Sequence, residues 1–317
     1  MLRIAFALLL SALATPALSQ YPTRPIELIV PVGAGGGLDL QARMLDELAE
    51  KELGQRVVVM NRPGAGGTIG VHALTQARPD GYTLAAVWAG PLTASPHNQP
   101  VQYSSDDYTP IVLFSKAPFV VCVAPDFPAD TGAQLIERLK AEPDKHTYGN
   151  EGAGGTLHLG LERIFAALGV SARAVPFKGA AETAQNFAGG HITMYAGGIA
   201  SILPMSKAGK AKCLMMTTAA RNPMFPKAAG LADLGVPQAE IAFWRAIIAP
   251  RGLSEDARRK IEAAFVAAAR SPKFTEFIAS LGEIPDATTG NALKEFIASE
   301  YAALGALART AGAAGRK

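Results

Sequence analysis

The stretch Ile26-Glu27-Leu28-Ile29-Val30-Pro31-Val32-Gly33-Ala34-Gly35-Gly36-Gly37-Leu38-Asp39 decides how the chain is read. Ile26 to Val32 reads as a strand. Beyond the glycines, Leu40, Met44, Leu45 and Leu48 recur at helical spacing, and Gly54 is well placed to end that helix. A glycine loop between a strand and a helix puts bare backbone N–H groups at a helix N-terminus. The positive end of the helix dipole favours negative charge there, and the missing Cβ atoms let a ligand approach. The sequence Gly-Ala-Gly-Gly occurs at Gly33 to Gly36, at Gly64 to Gly67 and at Gly152 to Gly155. Glycine in one such loop is explained by backbone angles alone. Three copies suggest a cleft built around an acidic small molecule.

Working outward, Val57 to Met60 reads as the next strand, running through Asn61-Arg62-Pro63 into the second loop. A helix near Ile69 to Ala77 stops at the turn Arg78-Pro79-Asp80-Gly81, and Tyr82 to Val87 is a third strand. This β-loop-α order predicts a parallel sheet covered by helices. The middle of the chain repeats the plan. Phe119 to Pro125 is a strand, Gln134 to Leu139 a helix, and Thr147-Tyr148-Gly149 a short strand entering the third loop. Leu157, Leu161, Ile164, Phe165 and Leu168 then share one helical face. Further strands are expected at Ala172 to Pro176 and Ile192 to Tyr195. From Ser254 onward the chain reads as helical, with Ser254 as an N-cap and Ser271-Pro272 starting another helix that carries Phe274, Phe277, Ile278 and Leu281 on one face.

Two strands end in Ala-Pro, at Val123-Ala124-Pro125 and Ile248-Ala249-Pro250. They are expected to bracket a second domain: residues 20–124 and 246–317 form domain 1, residues 125–245 form domain 2, and two connecting strands make a hinge that permits closure around a ligand.

Arg3, the apolar run Ile4 to Leu10 and the small residues Ala17 and Ser19 form the three-part pattern of a secretory signal peptide over residues 1–19. The run is too short for a spanning helix, which needs about 20 apolar residues. The mature chain is therefore expected in the periplasm. With 49% hydrophobic and 18% charged residues over 317 positions, it can bury a sizeable core. A net charge of +3 without a dense basic run gives no basis for a nucleic-acid partner. Cys122 and Cys213 each sit in an apolar, strand-like run, so buried free thiols are the expectation, with a disulfide open to an exported protein.

Catalytic patterns are missing from the sequence. Gly33-x-Gly35-x-x-Leu38 and Gly64-x-Gly66-x-x-Ile69 both lack the last glycine of a dinucleotide fingerprint, and no Walker sequence or Gly-x-Ser-x-Gly elbow occurs. His72, His97, His146, His158 and His191 lie far apart without metal-type spacing. Neither an enzymatic activity, a cofactor nor a metal is expected. Binding has more to work with. Thr68 and Thr156 follow their glycines and offer hydroxyls beside the amides; His158 sits in the first turn of its helix, and Lys178 could supply a cation. Asp39 either caps its helix or meets ligand, and Trp88 either walls a site or packs in the sheet.

Tyr21-Pro22-Thr23-Arg24-Pro25-Ile26, Pro31 to Asp39, Asn61-Arg62-Pro63-Gly64-Ala65-Gly66-Gly67, Pro79-Asp80-Gly81-Tyr82-Thr83-Leu84 and Pro176-Phe177-Lys178-Gly179 together resemble the tripartite tricarboxylate transporter substrate-binding receptors, also called Bug-type proteins. The resemblance covers essentially the whole mature chain. It implies a type 2 periplasmic binding fold, two α/β domains with the ligand held between them by backbone amides, hydroxyls and bridging waters. It also implies a monomer that captures a small organic carboxylate by domain closure and delivers it to membrane permease subunits. Carried over by position, the contacts of domain 1 would be Gly35, Gly36, Gly37, Asp39, Gly66, Gly67, Thr68, Ala89, Gly90 and Thr93. Those of domain 2 would be Gly154, Gly155, Thr156, His158, Lys178, Gly179 and Ala196. Val32 stands where the family usually has an aromatic, and Ala196 where an acidic residue is expected. Loss of that carboxylate removes a partner for an amino group, so a plain carboxylate is favoured over an amino acid, and Trp88 leaves room for an aromatic one. The rivals are a ligand-sensing partner of a signalling receptor on the same fold and a Rossmann-type nucleotide-dependent enzyme.

Overall fold

The structure is a computed structural model that describes residues 21–150, 152 and 155–314. The leader read over residues 1–19 lies outside them. Strand β1 (Ile26–Val30) is buried at its four apolar positions and leads through the first glycine loop to helix α1 (Gly37–Leu53). Leu38, Ala42, Leu45, Ala49 and Leu53 follow the three- and four-residue steps of one helical face, and all are buried. Gly54 ends the helix in the left-handed region, φ +66°, with its N–H on Glu50 O. Strand β2 (Val57–Asn61), a 3₁₀ turn at Ala65–Gly67, helix α2 (Thr68–Thr75) and strand β3 (Thr83–Trp88) complete the first unit, with β1 paired in parallel to both β2 and β3. A π-helical turn (Gly90–Ala94) and the single-turn helix α3 (Ser95–Asn98) connect to the long strand β4 (Tyr108–Val123).

Helix α4 (Gly132–Ala141) follows, capped by Thr131 Oγ1, which accepts from Gln134 N–H at 3.2 Å. Then come β5 (Thr147–Asn150), α5 (Thr156–Leu168), β6 (Arg173–Pro176), α6 (Ala180–Ala188), β7 (Met194–Gly198), α7 (Ile199–Lys207) and β8 (Lys212–Met216). The chain returns through β9 (Ala242–Pro250) to helices α8 (Glu255–Arg270) and α9 (Pro272–Ser280). The hydroxyls of Ser254 and Ser271 cap these two helices, each accepting a backbone N–H at 3.3 Å. Such caps are worth about 1 kcal/mol each.

Expectation and structure part in the C-terminal stretch and in the sense of the sheet. The C-terminal stretch is not helical throughout: strand β10 (Ile284–Thr289) interrupts it before helix α10 (Gly290–Ala314) and pairs antiparallel with β4. Pro285 removes a helical N–H, Thr288 and Thr289 are β-branched, and the free edge of β4 supplies the ladder that makes an extended segment pay. Nor is the sheet simply parallel. The order is β2-β1-β3-β9-β4-β7-β5-β6, parallel among β1, β2 and β3 and among β5, β6 and β7, but antiparallel wherever β9 or β4 takes part.

That antiparallel centre organises the packing. Tyr108 to Pro118 of β4 lie against β9, and Phe119 to Val123 lie instead against β7 and β8. Buried side chains gather on both sides of this changeover. One group includes Leu28, Leu45, Phe114, Phe265 and Phe274; the other includes Val121, Tyr148, Leu161, Phe165 and Met194. Because β4 and β9 run in opposite senses, their Ala-Pro ends fall far apart: Ala249 and Pro250 face Thr109 and Tyr108, at the opposite end of β4 from Val123.

The same ladder decides the cysteines. Cys122 of β4 faces Cys213 of β8, with Cα atoms 3.9 Å apart, and the two form a disulfide. This overturns the expectation of free thiols. The two lie 91 residues apart, and only the strand pairing brings them into register. Among the described residues, no helix is long and apolar enough to cross a membrane.

Two stability tests arise from these elements. Replacing both cysteines by alanine should lower the denaturation midpoint, with a loss of about 4.6 kcal/mol for a loop of this length in the chain-entropy picture, read by urea melts. The second concerns Asp46 on α1. Burial pushes its carboxyl up to about 7, opposed by the hydrogen bond from Glu47 N–H and reinforced by the Glu50 carboxylate. The unfolded group titrates near ~4. Between these values the native state holds a proton that the unfolded state has released, so this group's contribution falls as pH rises from about 4 to about 7. Asp46→Asn should therefore melt above the parent protein at pH 8, with the gap closing as pH is lowered to about 4.

Candidate ligand-binding site

The end of β3 places an indole where three segments meet. Gly67 stands at φ +93°, and a Cβ there would overlap the far edge of the Trp88 ring; a Cβ on Gly90 would come within 2.5 Å of the indole Nε1. These two glycines are the space in which the indole lies. Phe243 of β9 stands beside it, ring centroids 6.4 Å apart and planes inclined by 20°. The Arg245 guanidinium carbon lies 5.4 Å from the Phe243 ring centroid.

Trp88 and Phe243 line a cavity of about 500 Å³, together with Phe119 and Leu157. Its polar lining comes from both sides: Gly66, Gly90, Ser95, Asn98 and Gln99 from one, and Gly152, Gly155 and Thr156 from the other. Gly155 is the N-cap of α5, which starts at Thr156, so the first turn of a 13-residue helix opens into this space. The loop before it is braced by Asn150, fully buried, whose Oδ1 accepts from Gly152 N–H at 3.0 Å. Across the cavity, Gln99 Nε2 donates to Ala65 O at 3.3 Å and ties α3 to the second glycine loop. Among the described lining residues there is neither an acidic nor a basic side chain. The chemistry on offer is therefore amides, hydroxyls and aromatic faces. A carboxylate can be held there by hydrogen bonds and helix dipole, whereas a free ammonium finds no counter-charge in the described lining.

Of the residues expected at the site, Gly66, Gly90, Gly155 and Thr156 line the cavity. Gly154 lies outside the described residues. Gly67 sits behind the indole. The Thr68 hydroxyl donates to Ala65 O and the Thr93 hydroxyl to Ala89 O, so both hold their own loops. Ala89 and Ala196 are fully buried, Ala196 pairing with Val121 in the sheet. His158 is half-buried in the first turn of α5; Lys178 is exposed and Gly179 half-buried before α6. None of these lines the cavity. Gly35, Gly36 and Gly37 belong to an exposed to half-buried loop and are not among the lining residues. There Asp39 is fully engaged: its Oδ2 accepts from Gly35 N–H and Arg43 Nε, both at 2.9 Å, and its Oδ1 from Asn61 Nδ2 at 2.8 Å. Burial works against the charge, but these hydrogen bonds and the Arg43 guanidinium hold the carboxyl below its ordinary value. Its place is that of a brace for the first loop.

The sequence reading missed Phe119, Phe243 and the Ser95-Asn98-Gln99 cluster. Ser95-Pro96-His97-Asn98-Gln99-Pro100 was visible as a polar, proline-flanked connection after a strand. Phe243 carried no local signal; only the pairing of its strand, with Phe243 itself opposite Ala117 and Arg245 opposite Trp88, brings it here.

Comparison with known proteins agrees with this architecture. The model of a family described as the tripartite tricarboxylate transporter family receptor matches residues 41–312. Protein BugT of Bordetella pertussis is 30% identical, over 92% of this chain and 91% of its own. Among solved structures, a TctC solute binding protein from Polaromonas superposes with a TM-score of 0.82 at 28% identity, covering 92% of this chain and 99% of that one. A protein of R. palustris solved with adipate gives a TM-score of 0.71 at 28% identity, covering 92% and 98%. The chain belongs to the tripartite tricarboxylate transporter receptor family, whose members are periplasmic solute-binding proteins of Bug type and not enzymes.

The packing around the indole yields a direct test. Gly67→Ala forces a methyl group into Trp88 from a positive-φ position and should cost about 1–3 kcal/mol in urea melts. Gly37→Ala, with open space around its Cβ and no left-handed φ, should change stability by less than about 0.5 kcal/mol.

Proposed function

We propose that this receptor binds one small organic acid without an amino group in the cavity between the second and third glycine loops. The observation that carries the reading is the lining itself: glycines, Ser95, Asn98, Gln99 and Thr156 line the cavity beside Trp88, packed against one core, and Leu157 of the other, and the described lining holds no ionised side chain. A carboxylate gains from the α5 N-terminus about 0.3–1 kcal/mol, and up to ~2 where partly buried. Thr156 offers a hydrogen bond there, the Gly155 N–H being taken by Gly152 O at 3.3 Å, and Gly66 and Gly90 face it from the other side. Adipate, held by the R. palustris relative, has this chemistry: carboxylates and no ammonium.

The reading takes the chain as two domains, residues 20–124 with 246–317 and residues 125–245, that close on the ligand. Near these bounds, β4 passes from β9 to β7 at Pro118-Phe119 and β9 begins at Ala242-Phe243, in each case a few residues before the bound. A small apolar contact of Ala94 and Leu304 with Leu159 of α5 spans the two sides beside the cavity and supports the closed form. Delivery to membrane permease subunits, action as a monomer and export through the leader at residues 1–19 complete the proposal. The buried disulfide suits an oxidising compartment.

A thermal-shift and calorimetric panel of mono-, di- and tricarboxylates with aspartate and glutamate tests it. At least one non-amino acid should raise the melting temperature, by the equivalent of about 2.7 kcal/mol at a hundred times its Kd. Binding of aspartate or glutamate alone, with no response to any other acid, would overturn the reading.

A further inference from the structure

The lining of the cavity is richer in aromatic surface than carboxylate capture alone requires. Trp88 and Phe243 lie with ring planes inclined by only 20°, and Phe119 also lines the cavity. The indole is fixed in place, because Gly67 and Gly90 leave it room and their backbones hem it in. Aromatic rings prefer offset-stacked or edge-to-face partners at centroid separations of about 4.5–7 Å, a preference beyond simple burial of area.

We infer that the cavity selects a carboxylate carried on a flat aromatic ring, with the ring against Trp88 and Phe243 and the carboxylate toward the glycine loops. This rests on the proposed carboxylate cleft and specifies the body of its ligand. Phe243 is the specificity-determining residue: it comes from the strand shared by both cores, and its ring completes the face that Trp88 begins.

The probes are benzoate and cyclohexanecarboxylate, which share the carboxylate and the ring size and differ in flatness and π-character, with adipate as the open-chain comparison. Calorimetry on the mature protein should give benzoate a Kd roughly two- to tenfold below that of cyclohexanecarboxylate. Phe243→Leu, which keeps an apolar side chain, should bring the two to within about twofold; Phe119→Leu gives a second reading should Phe243→Leu fail to fold. Equal or tighter binding of cyclohexanecarboxylate or adipate by the parent protein would overturn the aromatic selection and leave the carboxylate receptor standing. An aromatic preference that survives both substitutions would overturn the assignment to these rings. Failure of every carboxylate to bind would remove the cleft reading itself, and the inference with it.

Discussion

The antiparallel ladder between β4 and β9 is the constraint on which the rest of this molecule depends. Each strand is long enough to serve two cores, and each is hydrogen-bonded to the other over the stretch between Tyr108 and Pro118. Two register shifts, between Pro110 and Val112 and between Leu113 and Ser115, increase the local twist and re-aim the side chains that follow. A buried polar cluster fastens the same region. Arg245 Nη1 donates to Glu283 Oε2 at 2.5 Å and to Ser115 Oγ at 3.3 Å, while Gln41 Nε2 also donates to Glu283, at 3.0 Å. Burial drives the Arg245 pKa down and the Glu283 charge opposes it. Breaking such a pair strands a buried charge, so the cluster resists rearrangement more than it adds net stability. The ladder thus sets where Phe119 and Phe243 emerge, and with them the floor of the cavity.

The anion chemistry of the site follows from what surrounds it. With ionised side chains missing from the described lining, attraction for a carboxylate rests on fixed dipoles and hydrogen bonds. These are short-ranged and directional, so they reward a carboxylate in the right place more than negative charge in general. The acid beside the first loop is already committed. Asp39 is bound by Arg43, Asn61 and the Gly35 amide, and its role is to shape the first loop.

What could be read in the sequence was local. Strands β1, β2, β3 and β5, the helices after the three glycine loops, the Gly54 terminator and the Ser254 and Ser271 caps all announce themselves within a few residues through periodicity and side-chain chemistry. What escaped was non-local. The disulfide, the antiparallel centre of the sheet, β10 and the arrival of Phe243 beside Trp88 all depend on pairing between segments far apart in sequence, and no window of residues encodes that pairing. The glycine loops were a mixed case. Their position at helix starts was legible, but the repeated motif could not show that Gly67 serves an indole, or that the other two copies line the cavity and the first does not.

The placement of the two tryptophans has a spectroscopic corollary. The chain contains only Trp88 and Trp244. Trp244 is fully buried, edge-to-face with Phe296 at 5.7 Å, and does not line the cavity, whereas Trp88 forms its wall. Intrinsic fluorescence therefore divides into a constant background and one emitter that a bound molecule would touch. The protein carries its own optical gauge of cavity occupancy, with no label to attach.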